Sequence, residues 1–214
     1  MADKNNGSRP GTREVLTGFF VLEGIDGAGT TTQLRRLGAR ALAEGVALRT
    51  DCEPTSHPVG VLIRSILRHE VDAQPGVLAP LFAADRRQHL DGEGGVRQTV
   101  ALGSKVVSDR YFFSSLAYQS LDLPWEEVWN LNAPFPLPEA LFWFEVPVSE
   151  AQARIDRRGQ AREKFEDAPS QEKIRLAYQR AVSEAEAQGL EVVRLDATLP
   201  IETLTDAIWT RICR

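Results

Sequence analysis

The residues that could do chemistry in this 214-residue chain begin with a run of glycines and hydroxyls, Glu23-Gly24-Ile25-Asp26-Gly27-Ala28-Gly29-Thr30-Thr31-Thr32-Gln33. Gly24 and Gly29 have the spacing of a loop whose backbone N–H groups wrap phosphate oxygens, because residues without a β-carbon let the chain approach closely. Gly24, Asp26, Gly27, Ala28, Gly29, Thr30, Thr31 and Thr32 are therefore candidate phosphate-binding positions. Thr31 fits the hydroxyl position that ligates magnesium in such loops. The position this pattern gives to lysine holds Thr30, which donates a hydrogen bond but carries no charge. Another cation has to replace the lysine, or phosphoryl transfer is weak. Asp109-Arg110-Tyr111 sets an acid, a guanidinium and a ring in a row, and a guanidinium grips phosphate with a planar fork. Phe82 and Arg86 are four apart on an expected helix and share a face. Arg157, Arg158, Arg162 and Lys164 crowd one short polar segment. Taken singly, Phe82 reads as core and the basic cluster as a solvated charge run.

The elements that must position these residues follow from the hydrophobic pattern. Residues 19–22 form a short apolar strand ended by Gly24, and a helix follows over 29–44 with Leu34, Leu37, Ala41 and Leu42 on one face. Further strands are expected near 46–50, 104–108, 141–146 and 191–195. Helices are expected over 59–68, 78–90, 113–121, 149–157 capped by Ser149, 170–188 and 200–212. Five short apolar strands alternating with helices predict an α/β fold with a parallel sheet covered on both faces. The proline-rich residues 132–138 read as a rigid surface connection.

Bulk properties bound the function. With 43% hydrophobic residues the chain can bury one sizeable core. A net charge of -5 argues against nucleic acid as a partner. No apolar run approaches the ~20 residues needed to span a bilayer, so no membrane association is expected. Cys52 and Cys213 form no metal spacing and suggest no disulfide framework, which fits a reducing, cytoplasmic setting. Residues 1–17 read as a flexible tail and 18–214 as the domain.

The glycine loop resembles that of thymidylate kinases, and four more segments resemble the same family in order. They are Leu81-Phe82-Ala83-Ala84-Asp85-Arg86, Ser108-Asp109-Arg110-Tyr111, Ser114-Ser115-Leu116-Ala117-Tyr118-Gln119, and Arg157-Arg158-Gly159-Gln160 leading to Phe165-Glu166. The resemblance implies a P-loop NTPase-type three-layer fold around a five-stranded parallel sheet, with a short lid at about 158–169. It implies phosphoryl transfer from ATP to dTMP with Mg2+, and a homodimer. It makes Asp109 and Thr31 metal-side residues, and Asp26, Arg110, Arg158 and Arg162 catalytic residues. Tyr111 would pack under the sugar, Phe82 would stack on thymine and Arg86 would bond to the base. Glu53, Ser115, Tyr118 and Gln119 would complete the acceptor pocket. Gly27 stands where some members carry a loop arginine, so the chain resembles the kind that places this charge in the lid. Cys52 departs from the arginine of the Thr-Arg-Glu-Pro-Gly pattern. Thr30 and Cys52 leave open a nucleotide-binding homologue with altered deoxynucleotide preference or lost kinase activity.

Overall fold

The structure, a computed structural model, describes residues 13–159 and 163–214. Strands β1 (Val15–Gly24), β2 (Leu48–Cys52), β3 (Lys105–Asp109), β4 (Leu137–Glu145) and β5 (Glu191–Asp196) form one parallel sheet in the order β2-β3-β1-β4-β5. Helices α1 (Thr30–Glu44), α2 (Pro58–Leu67), α3 (Leu78–Asp91), α4 (Val96–Ala101), α5 (Phe112–Tyr118), α6 (Trp125–Asn132), α7 (Val148–Arg158), α8 (Ala168–Ala187) and α9 (Ile201–Ile212) join and cover the strands. Phe19, Phe20, Val21 and Leu22 of β1 are fully buried, as are Ala140, Leu141 and Phe142 of β4 beside them. Continuous apolar runs of this kind belong in the centre of a sheet covered on both faces.

Topology sets the functional edge. β1 lies between β3 and β4, so the chain passes over β1 when it moves from one half of the sheet to the other. Such a crossing opens a crevice at the carboxyl ends of the strands, where ligands bind. Leu22 pairs with Asp109, so the glycine loop after β1 and the turn after β3 begin side by side.

Several local expectations change. β1 starts at Val15, inside the segment expected to be tail, because Leu16 is buried and Leu137 N–H donates to Glu14 O at 2.8 Å. Residues 132–138 are not a surface connection: Asn132, Phe135 and Leu137 are buried, and β4 already begins at Leu137. Pro138 sits at that strand's start, where a missing N–H is tolerated. Pro147, not Ser149, occupies the N-cap of α7. Leu42 faces solvent, leaving Leu37 and Ala41 as the buried apolar residues of α1. Helices α4 and α6 were not expected from the sequence.

Candidate active site

The loop after β1 runs directly into α1, so backbone N–H groups and the positive end of the helix face the same space. Gly29 caps α1 with φ 99°, a left-handed conformation that favours glycine. A β-carbon at Gly27 would lie 2.5 Å from the Ala151 carbonyl oxygen, because α7 rests on the loop there. The resulting cavity, of about 740 Å³, is lined by loop residues 25–33 together with Arg110, Arg154, Arg157 and Arg158. One wall is apolar, with Ala197, Leu199 and Ile201. A phosphate chain at the loop and a flat ring against that wall match this distribution of charge and apolar surface. Every expected phosphate-binding residue of the loop except Gly24 lines the cavity. Gly24 lies beneath it, where a β-carbon would come within 2.8 Å of the Ala28 side chain.

Thr31 Oγ1 donates to Asp109 Oδ2 at 2.5 Å, and Asp109 Oδ1 is buried with no hydrogen-bond partner in the described structure. A hydroxyl and a carboxylate oxygen left unsatisfied beside a phosphate-binding loop suit a hard cation that takes oxygen ligands and keeps several waters. The two residues fit magnesium.

A second cavity, of about 140 Å³, lies on the β2–β3 side and is lined by Phe82, Arg86, Tyr111, Tyr118, Gln119 and Phe165, among others. Asp26 and Arg110 line both cavities. Arg110 has φ 75°, uncommon for a residue with a side chain, and this turns its guanidinium into the junction. Its Nη2 donates to Asp26 Oδ1 at 2.5 Å, and its Nη1 donates to Gly24 O at 3.2 Å and Tyr178 Oη at 3.0 Å. Burial disfavours its charge, but the oxygens of Tyr118, Tyr178, Asp26 and Asp109 outweigh this and hold it firmly protonated. Asp26 is clamped from the other side by Gln171, which donates from Nε2 to Oδ2 at 2.9 Å and accepts from the Asp26 N–H at 3.1 Å.

Beneath this junction Glu23 is wholly buried. It accepts from the N–H groups of Tyr111 and Ser114, from Ser114 Oγ and from Tyr178 Oη. Burial pushes its carboxyl up to about 7, against the opposing pull of Arg110 and these donors.

The acceptor-side network is equally closed. Arg86 is buried and donates to Glu53 Oε2 at 2.9 Å from Nε, to Ser115 Oγ at 3.2 Å and to Asn132 Oδ1. Glu53 Oε1 meets His89 Nδ1 at 2.9 Å, and His89 Nε2 meets Asp51 Oδ2 at 3.0 Å. Burial alone would lower the His89 pKa, but its hydrogen bonds to Asp51 and Glu53 and their charges raise it to about 9.

The structure thus brings together Asp26, Glu53, Phe82, Arg86, Arg110, Tyr111, Tyr118 and Gln119 around one cavity, with Ser115 behind it. Tyr111 is wholly buried, its ring against Phe19 and Phe112 and its hydroxyl donating to Pro136 O at 3.1 Å. It is a backing wall, and Tyr118 is the ring beside the Arg110 guanidinium, 5.1 Å from it. Arg158 lies at the end of α7 and pairs with Glu166 at 2.7 Å. Arg162 lies outside the described residues. Arg154, Gln171, His89 and Tyr178 were not singled out from the sequence. For His89 a signal existed, because Phe82, Arg86 and His89 follow the i, i+4, i+7 spacing of one helix face. Arg154 and Gln171 reach the loop from more than 120 residues away, and no spacing reveals that.

The family model described as thymidylate kinase matches residues 22–208 of the chain. The chain is 39% identical to a Treponema pallidum protein named "Putative thymidylate kinase", over 91% of this chain and 94% of that one. It is 34% identical to the thymidylate kinase of Xanthomonas oryzae pv. oryzae, over 89% of this chain and 86% of the relative. To the thymidylate kinase of Leptospira borgpetersenii it is 33% identical, with 83% and 84% covered.

Proposed function

The chain belongs to the thymidylate kinase family, and from that premise we propose that it transfers the γ-phosphoryl group of ATP to the 5′-phosphate of dTMP, giving ADP and dTDP. The observation that carries this reading is the meeting of two cavities at Asp26 and Arg110. One is shaped for a phosphate chain ending in a flat ring; the other is smaller and walled by aromatic residues. An acceptor phosphate gripped by Arg110 would lie at the mouth of the glycine loop, in line with the last phosphate of the donor.

An oxygen of the dTMP phosphate dianion forms the new bond to Pγ as the bond from Pγ to the β-bridging oxygen breaks. The electrons of that bond leave on ADP, and no base is required. Catalysis then rests on alignment and on charge placed around the transferring group. Thr31 and Asp109 would hold Mg2+, which supplies charge neutralisation at the donor phosphates when bound. Asp26 would hold Arg110 in position. Phe82, Arg86, Tyr118 and Gln119 would receive the base and sugar, with Glu53 and Ser115 fixing Arg86. Residues 158–169 would act as a lid, bringing Arg158 and Arg162 to the transferring group once Arg158 leaves Glu166. A homodimer and a cytoplasmic setting complete the proposal. In the described structure no helix is long and apolar enough to cross a membrane.

The test is a coupled ADP-release assay with ATP, magnesium and each of dTMP, dUMP, dCMP, dGMP and UMP. Release with dTMP well above the others is the expected result. Release with none of them, while ATP still binds, would overturn transfer and leave a nucleotide-binding homologue.

A further inference from the structure

The loop lacks the lysine that would neutralise donor phosphates, yet the cavity it forms has cations on its rim. Arg110 is engaged with Asp26. Arg158 is paired with Glu166, and Arg157 is largely exposed. Arg154 differs from these in place and in mounting. It sits on the second turn of α7, a rigid element, where its side chain is mostly buried and its Nε donates to Glu150 Oε1 at 2.9 Å. It bridges the glycine loop and the turn after β5, donating from Nη2 to Ala197 O at 2.9 Å. A β-carbon built on Gly29, the residue before Thr30, would stand 4.0 Å from Arg154 Nη1.

Two details connect this placement to the missing charge. The first is Gly27. Because that residue has no side chain, α7 lies directly on the loop at Ala151, and the next turn of the helix carries Arg154 to the cavity. The second is the quality of its contacts. Arg154 Nη1 lies 3.4 Å from both Gly27 O and Ala28 O, longer than a well-formed N–H···O bond of about 2.7–3.2 Å. Glu150 holds the Nε end of the side chain at 2.9 Å, so it is the Nη1 edge, met only by these long contacts to neutral carbonyls, that gains from an ionised phosphate oxygen, since a charge-assisted bond is roughly twice as strong as a neutral one.

We propose that Arg154 is the donor-phosphate cation of this enzyme, carrying from α7 the charge that Thr30 does not supply in the loop. This rests on the donor cavity receiving a nucleoside triphosphate, as in the function proposed above. Ground-state binding of the donor then depends on a helix rather than on the loop. Thr30, buried at the loop base, becomes a position from which the same charge could be restored.

The test is a two-by-two set, Arg154→Gln with and without Thr30→Lys, alongside Arg154→Lys and with melting temperatures recorded for each. Two readouts are taken: kcat/KM for ATP at saturating dTMP, and ADP affinity by calorimetry with magnesium. Arg154→Gln should lower kcat/KM for ATP about 100-fold and ADP affinity about tenfold. In the Thr30→Lys background the same change should cost less than tenfold, and Arg154→Lys should stay within about tenfold of the parent. Equal losses in both backgrounds, or an unchanged ADP affinity in folded Arg154→Gln, would overturn the proposal and make Arg154 a brace for the loop. If the parent fails to phosphorylate dTMP, the functional reading falls, but the ADP titrations still decide the role of Arg154.

Discussion

The donor and acceptor sides of the site are built in opposite ways. On the donor side, one stretch of about ten residues supplies backbone N–H groups and hydroxyls to an open cavity. On the acceptor side, β2, α3, α5 and α6 each send side chains into a closed network around Arg86, Glu53 and His89. The difference teaches where stability and activity separate. A loop whose donors await phosphate loses little fold energy when one of its hydroxyls is removed. A buried ion network is part of the fold, and a missing member leaves an uncompensated charge.

Arg86→Ala breaks the contrast most severely if it is wrong. Removing this cation leaves Glu53 buried beside His89 only, and a loss of about 3–5 kcal/mol of unfolding free energy is expected in urea denaturation. A loss under about 1 kcal/mol would mean that the acceptor network is as expendable to the fold as the loop.

The next effect is pH-dependent and belongs to the acceptor side. The folded-state pKa of His89, about 9, lies above its ordinary value of 6.5, so the folded chain holds this proton more tightly than the unfolded one. The stability it contributes is complete below about pH 6.5 and is lost as pH rises through about 9, a span worth up to roughly 3 kcal/mol. Glu23 acts in the same direction at lower pH, because its raised carboxyl stabilises the fold while protonated and loses that contribution as pH rises through about 7. Unfolding free energies should fall between pH 6 and 9, and His89→Gln should flatten the upper part of that decline. A parent curve rising over the same range would contradict the assignment.

Thr31→Ala gives the smallest change in stability and sharpens the donor side. It deletes one hydrogen bond to Asp109, so about 1 kcal/mol or less should be lost. Turnover with ATP and magnesium should nonetheless fall at least tenfold, a transition-state cost of about 1.4 kcal/mol. A stability loss above about 2 kcal/mol would show that the loop also serves the fold.

The same contrast explains what could be read from the sequence. The glycine loop, Asp109-Arg110-Tyr111 and the strands beside them are contiguous segments whose local pattern carries their structure. Phe82 and Arg86 were legible through helical spacing. The clamp of Gln171 on Asp26 and the reach of Arg154 to the loop depend on tertiary placement and leave no periodic trace. Helices α4 and α6, of six and eight residues, are too short for a full amphipathic pattern to stand out. The prolines at 136 and 138 suggested a loop, although the carbonyl of one accepts from the Tyr111 hydroxyl and the other opens a strand.

The most direct test of the account is titration with a bisubstrate ligand, adenosine and thymidine joined through their 5′ positions by a chain of phosphates. The two cavities share Asp26 and Arg110, so one ligand molecule should bind per chain, displace both ADP and dTMP, and bind at least 100-fold more tightly than either. Displacement of only one nucleotide, or two ligand molecules per chain, would contradict a single transfer point between the cavities.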